Sequence, residues 1–259
     1  MASDKGRIGY QLRLWLSSLR HILNLPRFLN RDNRHKLFLA HEILGARLPM
    51  VALEEIVGEL PDSAAIELQA LPYRVANCSL AELFALAVVT RVIAPRCAVE
   101  IGTFDGRSTL AIAANVPANA IVHTLNLPAG YAAAHPEQRG SVDVQLSAAV
   151  ASGHRWVGNP LAARIRQHFG NSRHFDFAPL FPAQLIFIDG AHDEQTVLSD
   201  SRNALAGIDR ANGAILWDDA GHYGLPAVLT RLRGEGLPIR LIAGTDLAML
   251  RFRGGAAVA

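Results

Sequence analysis

The spacing of apolar residues changes twice along the chain. Ile8, Leu12, Trp15, Leu16, Leu19, Ile22 and Leu23 recur at helical spacing, with Gln11, Arg13, Ser17, Ser18 and Arg20 on the other face and Pro26 as the stop. This predicts a basic amphipathic helix. From Arg27 to Leu71 the pattern is mixed, with short helices around Lys36 to Leu44 and Leu53 to Gly58 and turns at Pro49 and Pro61. Ser79-Leu80-Ala81-Glu82 is a capping box that opens a helix to about Ile93, where Pro95 ends it. Beyond it, short apolar runs alternate with helical stretches. Strands are expected at Cys97 to Ile101, Ile121 to Leu125, Ile165 to Phe169, Leu185 to Asp189 and Ala214 to Trp217, and helices at Arg107 to Ala114, Glu194 to Leu205 and Pro226 to Arg233. Strand–helix alternation predicts an α/β fold with a mostly parallel sheet covered on both faces. The runs Ile239 to Ala243 and Leu247 to Phe252 are separated by Gly244-Thr245-Asp246, so the sheet is expected to finish with an antiparallel strand. Two regions follow: a basic helical arm over residues 1–74 and an α/β domain over 75–259.

Composition narrows the class. Of 259 residues, 50% are apolar and 19% charged, which is enough to bury a core and excludes global disorder. The net charge of +2 conceals an asymmetry, because residues 1–50 hold nine Lys/Arg against Asp4, Asp32 and Glu42. The domain is therefore slightly acidic, and recognition of nucleic acid through phosphate neutralisation is disfavoured. The basic arm suits packing on the domain, a second subunit, or the surface of an anionic membrane. Cys78 and Cys97 make no disulfide framework, and no run approaches the about 18 apolar residues of a membrane span. A cytoplasmic protein, with peripheral membrane contact through the arm as an option, is expected.

Candidate chemistry stands at the strand ends, where ligands of open parallel sheets collect. After the first strand comes VEIGTFDGRSTL, with Glu100, Gly102 and Gly106 spaced E-x-G-x-x-x-G. Gly102 lets the backbone approach a ligand, and Glu100 suits a cationic or amino group. The G-x-x-x-G spacing departs from the G-x-G-x-x-G of dinucleotide sites, and NAD is the lesser option. FIDGAHDE and WDDAGH follow the fourth and fifth strands, and if those strands are neighbours Asp189, Asp218 and Asp219 converge beside His192, Asp193 and His222. Three such carboxylates either share a hard divalent cation, Mg²⁺ or Mn²⁺, or accept raised pKa values. A carboxylate that caps the next helix is the plainer alternative.

VEIGTFDGRSTL, HTLNLP (His123 to Pro128), HFGNSRHFDFAP (His168 to Pro179), LIFIDGAHDE and GAILWDDAG resemble, in order and spacing, the motifs of class I S-adenosylmethionine-dependent methyltransferases. The likeness covers Ser79 to Phe252 and is nearest to a bacterial branch with E-I-G-T-x-x-G, F-I-D-G-x-H and W-H-D-Y motifs. It implies a Rossmann-like class I methyltransferase sheet and S-adenosylmethionine as cofactor. The resemblance puts the methionine part at Glu100, Gly102, Thr103 and Gly106, the ribose at Asn126, and the adenine at Asn171 and Ser172. Asp189 and His192 face the methyl group and the acceptor, with His192 as general base. Metal-dependent O-methyltransferases of the superfamily carry ligands resembling Asp189, Asp218 and Asp219, so Mg²⁺ or another divalent cation belongs to the expectation. The implied reaction is O-methylation of a small molecule or saccharide. Asn126 and Asn171 stand where acids are usual, and each exchange weakens a cofactor hydrogen bond by about 1 kcal/mol. A catalytically degenerate binding or scaffold protein is the alternative.

Overall fold

The computed structural model describes residues 48–70, 72–222 and 224–258. The amphipathic helix expected near Ile8 to Leu23 and the short helix around Lys36 to Leu44 lie outside them. In chain order the described elements are β1 (Met50–Val51), α1 (Leu53–Val57), α2 (Leu80–Ile93), β2 (Cys97–Ile101), α3 (Arg107–Asn115), β3 (Ile121–Asn126), α4 (Tyr131–Ala134) and α5 (Val142–Ala149). They continue with β4 (Ile165–Phe169), β5 (Leu185–Ile188), α6 (Glu194–Gly207), β6 (Asn212–Trp217), α7 (Leu225–Gly234), β7 (Arg240–Ile242), β8 (Ala248–Arg253) and β9 (Ala256–Val258). The capping box forms as its spacing requires: Ser79 accepts from the Glu82 amide and Glu82 reaches back to the Ser79 amide. Ala94, in a left-handed conformation, ends α2 just before Pro95.

The strands form one sheet in the order β1-β7-β8-β6-β5-β2-β3-β4, with β9 added to β8. β2, β3, β4, β5 and β6 run parallel, and β8 is antiparallel to both β6 and β7. The antiparallel strand expected last is thus interior to the sheet. The segment grouped with the arm on sequence grounds contributes as well, for Met50 and Val51 pair in parallel with Leu241 and Ile242.

Alternation along the strands divides the two faces. Ala98, Leu185, Phe187, Ala214 and Leu216 join the core of Leu83, Leu86, Leu110 and Ile112 from α2 and α3. Residues of the opposite parity face α6, where Trp217 Nε1 donates to Ser201 Oγ at 2.9 Å. β5 is buried at all four positions, as a strand covered on both sides must be. Order reverses between β2 and β5, because β3 and β4 follow on one side of β2 while β5 and β6 lie on the other. In open α/β sheets, that switch point opens a crevice at the carboxyl ends. No helix among the described residues is long and apolar enough to cross a membrane.

Candidate active site

The glycine turn lies at the switch point. Gly102 takes φ +103° and its amide donates to the Leu125 carbonyl at 2.9 Å, while the Asp189 amide donates to the Ile101 carbonyl at 2.8 Å. A Cβ on Gly102 would come within 1.8 Å of the Asp189 carbonyl oxygen, so only glycine permits β2 and β5 to end this close together. Gly106, at φ +91°, starts α3 and its Cα faces the Trp156 ring, which a Cβ would meet at 2.5 Å.

Glu100 is fully buried on the α2/α3 side of the sheet. Its Oε2 accepts from Thr124 Oγ1 at 2.6 Å and from Thr109 Oγ1. Thr124 shares a 2.7 Å hydrogen bond with Thr103, whose hydroxyl accepts from Gln167 Nε2 at 3.0 Å. Burial raises the Glu100 pKa to about 7 despite these hydroxyls. Glu100 Oε1 and Gln167 Oε1 are buried acceptors with no hydrogen-bond partner.

Sequence reasoning missed the residues that brace this turn. Asp105, wholly buried, accepts from Asn77 Nδ2 at 3.0 Å and pairs with Arg155 Nε at 2.7 Å. The Gly153 and Arg155 amides donate to the Phe104 and Asp105 carbonyls at 3.0 and 3.2 Å. The segment around Arg155 carries no local periodicity that points to α3, and only the fold brings it there.

The acidic half divides the expected residues between two clusters. Asp189 and Asp218 meet as expected, but their third neighbour is Cys78, whose thiol lies 3.2 Å from Asp218 Oδ2 and 3.7 Å from Asp189 Oδ2. Asp219 turns elsewhere. The Asp218 amide still bonds the Ile188 carbonyl at 3.0 Å, but β6 ends at Trp217 and Asp219 takes a left-handed φ of +51°, so the chain turns between the two side chains. Asp219 joins His222 and Asp246, so Asp189, Asp218 and Asp219 do not present one ligand set. Burial, then the charge of its neighbours, holds Asp189 and Asp218 well above the usual carboxylate range and Cys78 well above that of a free thiol.

His192 lies between two carboxylates. Its Nδ1 lies 2.7 Å from Asp143 Oδ1, its amide donates to Asp143 Oδ2 at 3.0 Å, and its Nε2 lies 2.9 Å from Asp219 Oδ2. Burial alone would lower its pKa, but hydrogen bonds to Asp143 and Asp219 prevail and push it up to about 11. Both ring nitrogens are thus engaged by carboxylates. Asp143, on α5, had no signal in sequence. Asp193 caps α6, accepting from the Thr196 amide at 3.0 Å.

The remaining expected residues end their strands as anticipated. Asn126 closes β3 and its Nδ2 donates to Ser147 Oγ at 3.2 Å. Asn171 follows β4 and donates to the Tyr131 hydroxyl at 2.8 Å, whereas Ser172 turns to Asp200 Oδ2 at 3.0 Å. Burial raises the Asp200 pKa to about 7.

Residues 99–220 match the family model described as "Methyltransferase domain". That span is similar to methyltransferase domains. The SAH-bound methyltransferase PaMTH1 of Podospora anserina has a similar structure, with a TM-score of 0.50, 16% identity, and coverage of 78% of this chain and 86% of that one. The O-methyltransferase TomG of Streptomyces achromogenes, solved with SAM, matches at 18% identity over 78% and 89% of the two chains, with a TM-score of 0.48. The Bacillus cereus O-methyltransferase in complex with SAH matches at 19% over 78% and 90%, with a TM-score of 0.47. At such identity PaMTH1 speaks for the fold alone. No curated protein matches the sequence. β7 and β8, outside the matched span, belong to the same sheet.

Proposed function

We propose that this protein is an S-adenosylmethionine-dependent O-methyltransferase of a small-molecule or saccharide acceptor. The observation that carries it is the glycine turn, Gly102 to Gly106, lodged against Asp189 at the switch point of a class I methyltransferase sheet. The residues suit the cofactor. Glu100 Oε1 and Gln167 Oε1, buried acceptors around Thr103, match a ligand that brings an ammonium and hydroxyl donors. In this reading Glu100, Gly102, Thr103 and Gly106 serve the amino-acid end. Asn126 serves the ribose, and Asn171 and Ser172 the adenine.

When bound, the cofactor supplies an electrophilic methyl group. The protein's own part is orientation, which is worth up to about 7–11 kcal/mol in favourable cases. Asp189 stands where the turn and the acidic half meet, and in this reading it faces the transferred methyl group and the acceptor. In this reading His192, bonded by Asp143 and Asp219, serves to position the acceptor side of the cleft. The arm, residues 1–74 in the sequence reading, is proposed to contact a second subunit or an anionic membrane. Vesicle flotation with and without residues 1–26 separates these two.

Calorimetry of the full-length protein with S-adenosylmethionine tests the proposal: saturable heat is expected, and neither heat nor a thermal shift at millimolar cofactor overturns it. A binding or scaffold protein is the second reading, favoured by the two amides at Asn126 and Asn171 that bond Ser147 and Tyr131. It requires the double variant Asn126→Asp/Asn171→Asp to gain cofactor affinity that the natural chain lacks.

A further inference from the structure

Asp246, in the turn between β7 and β8, is an unusual carboxylate. Its side chain is 1% exposed, and neither oxygen has a hydrogen-bond partner. Among the described residues, His222 Nε2 lies 3.5 Å from Asp246 Oδ2, and the same nitrogen lies 3.8 Å from Asp219 Oδ1. These separations are too long for charge-assisted hydrogen bonds, which settle at about 2.7–2.9 Å. They are near the spacing of co-ligands: with bonds of about 2.1 Å to a tetrahedral ion, neighbouring ligand atoms stand about 3.4 Å apart. All three ligand atoms lie within 4.8 Å of one another.

We propose that Asp219, His222 and Asp246 form a binding site for a divalent transition ion of borderline softness, such as Zn²⁺, at the carboxyl end of β6 and distinct from the Cys78–Asp189–Asp218 cluster.

The site is built before the ion arrives. The Ala220 amide donates to the Asp246 carbonyl at 2.9 Å, the Asp246 amide donates to Glu82 Oε1 at 3.2 Å, and the His222 amide donates to the Asp219 carbonyl at 2.8 Å. The second oxygen of Asp219 is fixed by His192, which Asp143 fixes in turn, so a carboxylate ligand has the outer-shell support that metal sites employ. Two carboxylates and one imidazole make a mixed oxygen and nitrogen set, and three protein ligands leave a fourth position for water or another molecule.

The inference goes beyond methyl transfer and does not depend on cofactor binding. Its test is titration of chelator-treated, full-length protein with Zn²⁺, comparing wild type with Asp246→Asn, His222→Ala, Asp218→Asn and Cys78→Ser. The expected result is one saturable site, weakened more than about ten-fold in Asp246→Asn and His222→Ala and unchanged in the other two. Absence of binding, or loss of it in Asp218→Asn or Cys78→Ser with retention in Asp246→Asn, overturns the proposal. A measurement on the wild type needs no variant to fold: a Co²⁺-loaded protein whose spectrum has no thiolate-to-metal band supports it, and a thiolate band overturns it.

Discussion

The two halves of the strand-end cleft bury carboxylates by opposite means. In the glycine-turn half, Glu100 rests on hydroxyls: Thr124 and Thr109 donate to one oxygen, and no other carboxylate or imidazole touches it. In the acidic half, Asp189, Asp218, Asp219 and Asp246 rest on Cys78, His192, His222 and one another. The first arrangement fixes geometry with little dependence on charge. The second stores charge that a proton or a cation can rebalance, and it is the half in which a proton must move if methyl transfer to a hydroxyl occurs.

The comparison can be broken or sharpened by substitution. Gly102→Ala should have the largest effect: the clash with the Asp189 carbonyl and φ of +103° predict a loss of at least about 4 kcal/mol in denaturant unfolding and loss of cofactor heat. Gly140→Ala, where nothing lies within 4 Å of the added carbon, is the control and should change stability by less than about 1 kcal/mol. Next comes Arg155→Ala, which leaves Asp105 in the interior without its cation; about 3–5 kcal/mol should be lost, and a smaller cost would mean that Asn77 and the Arg107 amide sustain Asp105.

A pH titration of unfolding separates the halves more finely. Glu100 keeps its proton up to about pH 7 in the folded chain, while the unfolded chain releases it in the ordinary carboxylate range. Stability from this group is therefore full at low pH and falls as pH rises towards 7, by about 3 kcal/mol in all. Glu100→Gln should flatten that segment of the profile, and an unchanged slope would place its origin in the acidic half. His192 acts in a higher window. Its folded pKa of about 11 exceeds the unfolded value, so its contribution is complete below about pH 6.5 and is lost as pH climbs to 11. Asp143→Asn should have the smallest effect on stability, below about 1 kcal/mol, with a clear readout: the His192 NMR titration moves to lower pH. If it does not move, Asp219 alone holds the imidazolium.

Local signals account for much of the fold and for the first half of the cleft. The strand runs, the Ser79 and Glu82 capping box and the glycine pair each report on a few adjacent residues, and each formed where its spacing indicated. The second half was legible only in part. FIDGAHDE and WDDAGH mark the ends of β5 and β6, but adjacency in sequence suggested that Asp218 and Asp219 share one cluster, and the left-handed turn at Asp219, φ +51°, assigns them to two. Cys78 was hidden because a residue before a helix cap gives no sign of which strand ends that helix will meet.

Sequence by itself therefore determined the alternation of strands and helices, the turn that only glycine can make, and the kinds of group at each strand end. The tertiary structure decided which of those groups became partners: that Asp143 from α5 would claim His192, that Cys78 would join Asp189 and Asp218, and that Asp246 would face Asp219 and His222. The physical reason is range. Propensity, capping and turn geometry act over a few residues, whereas the pKa of a buried group depends on charges brought within a few ångströms by packing of segments tens of residues apart.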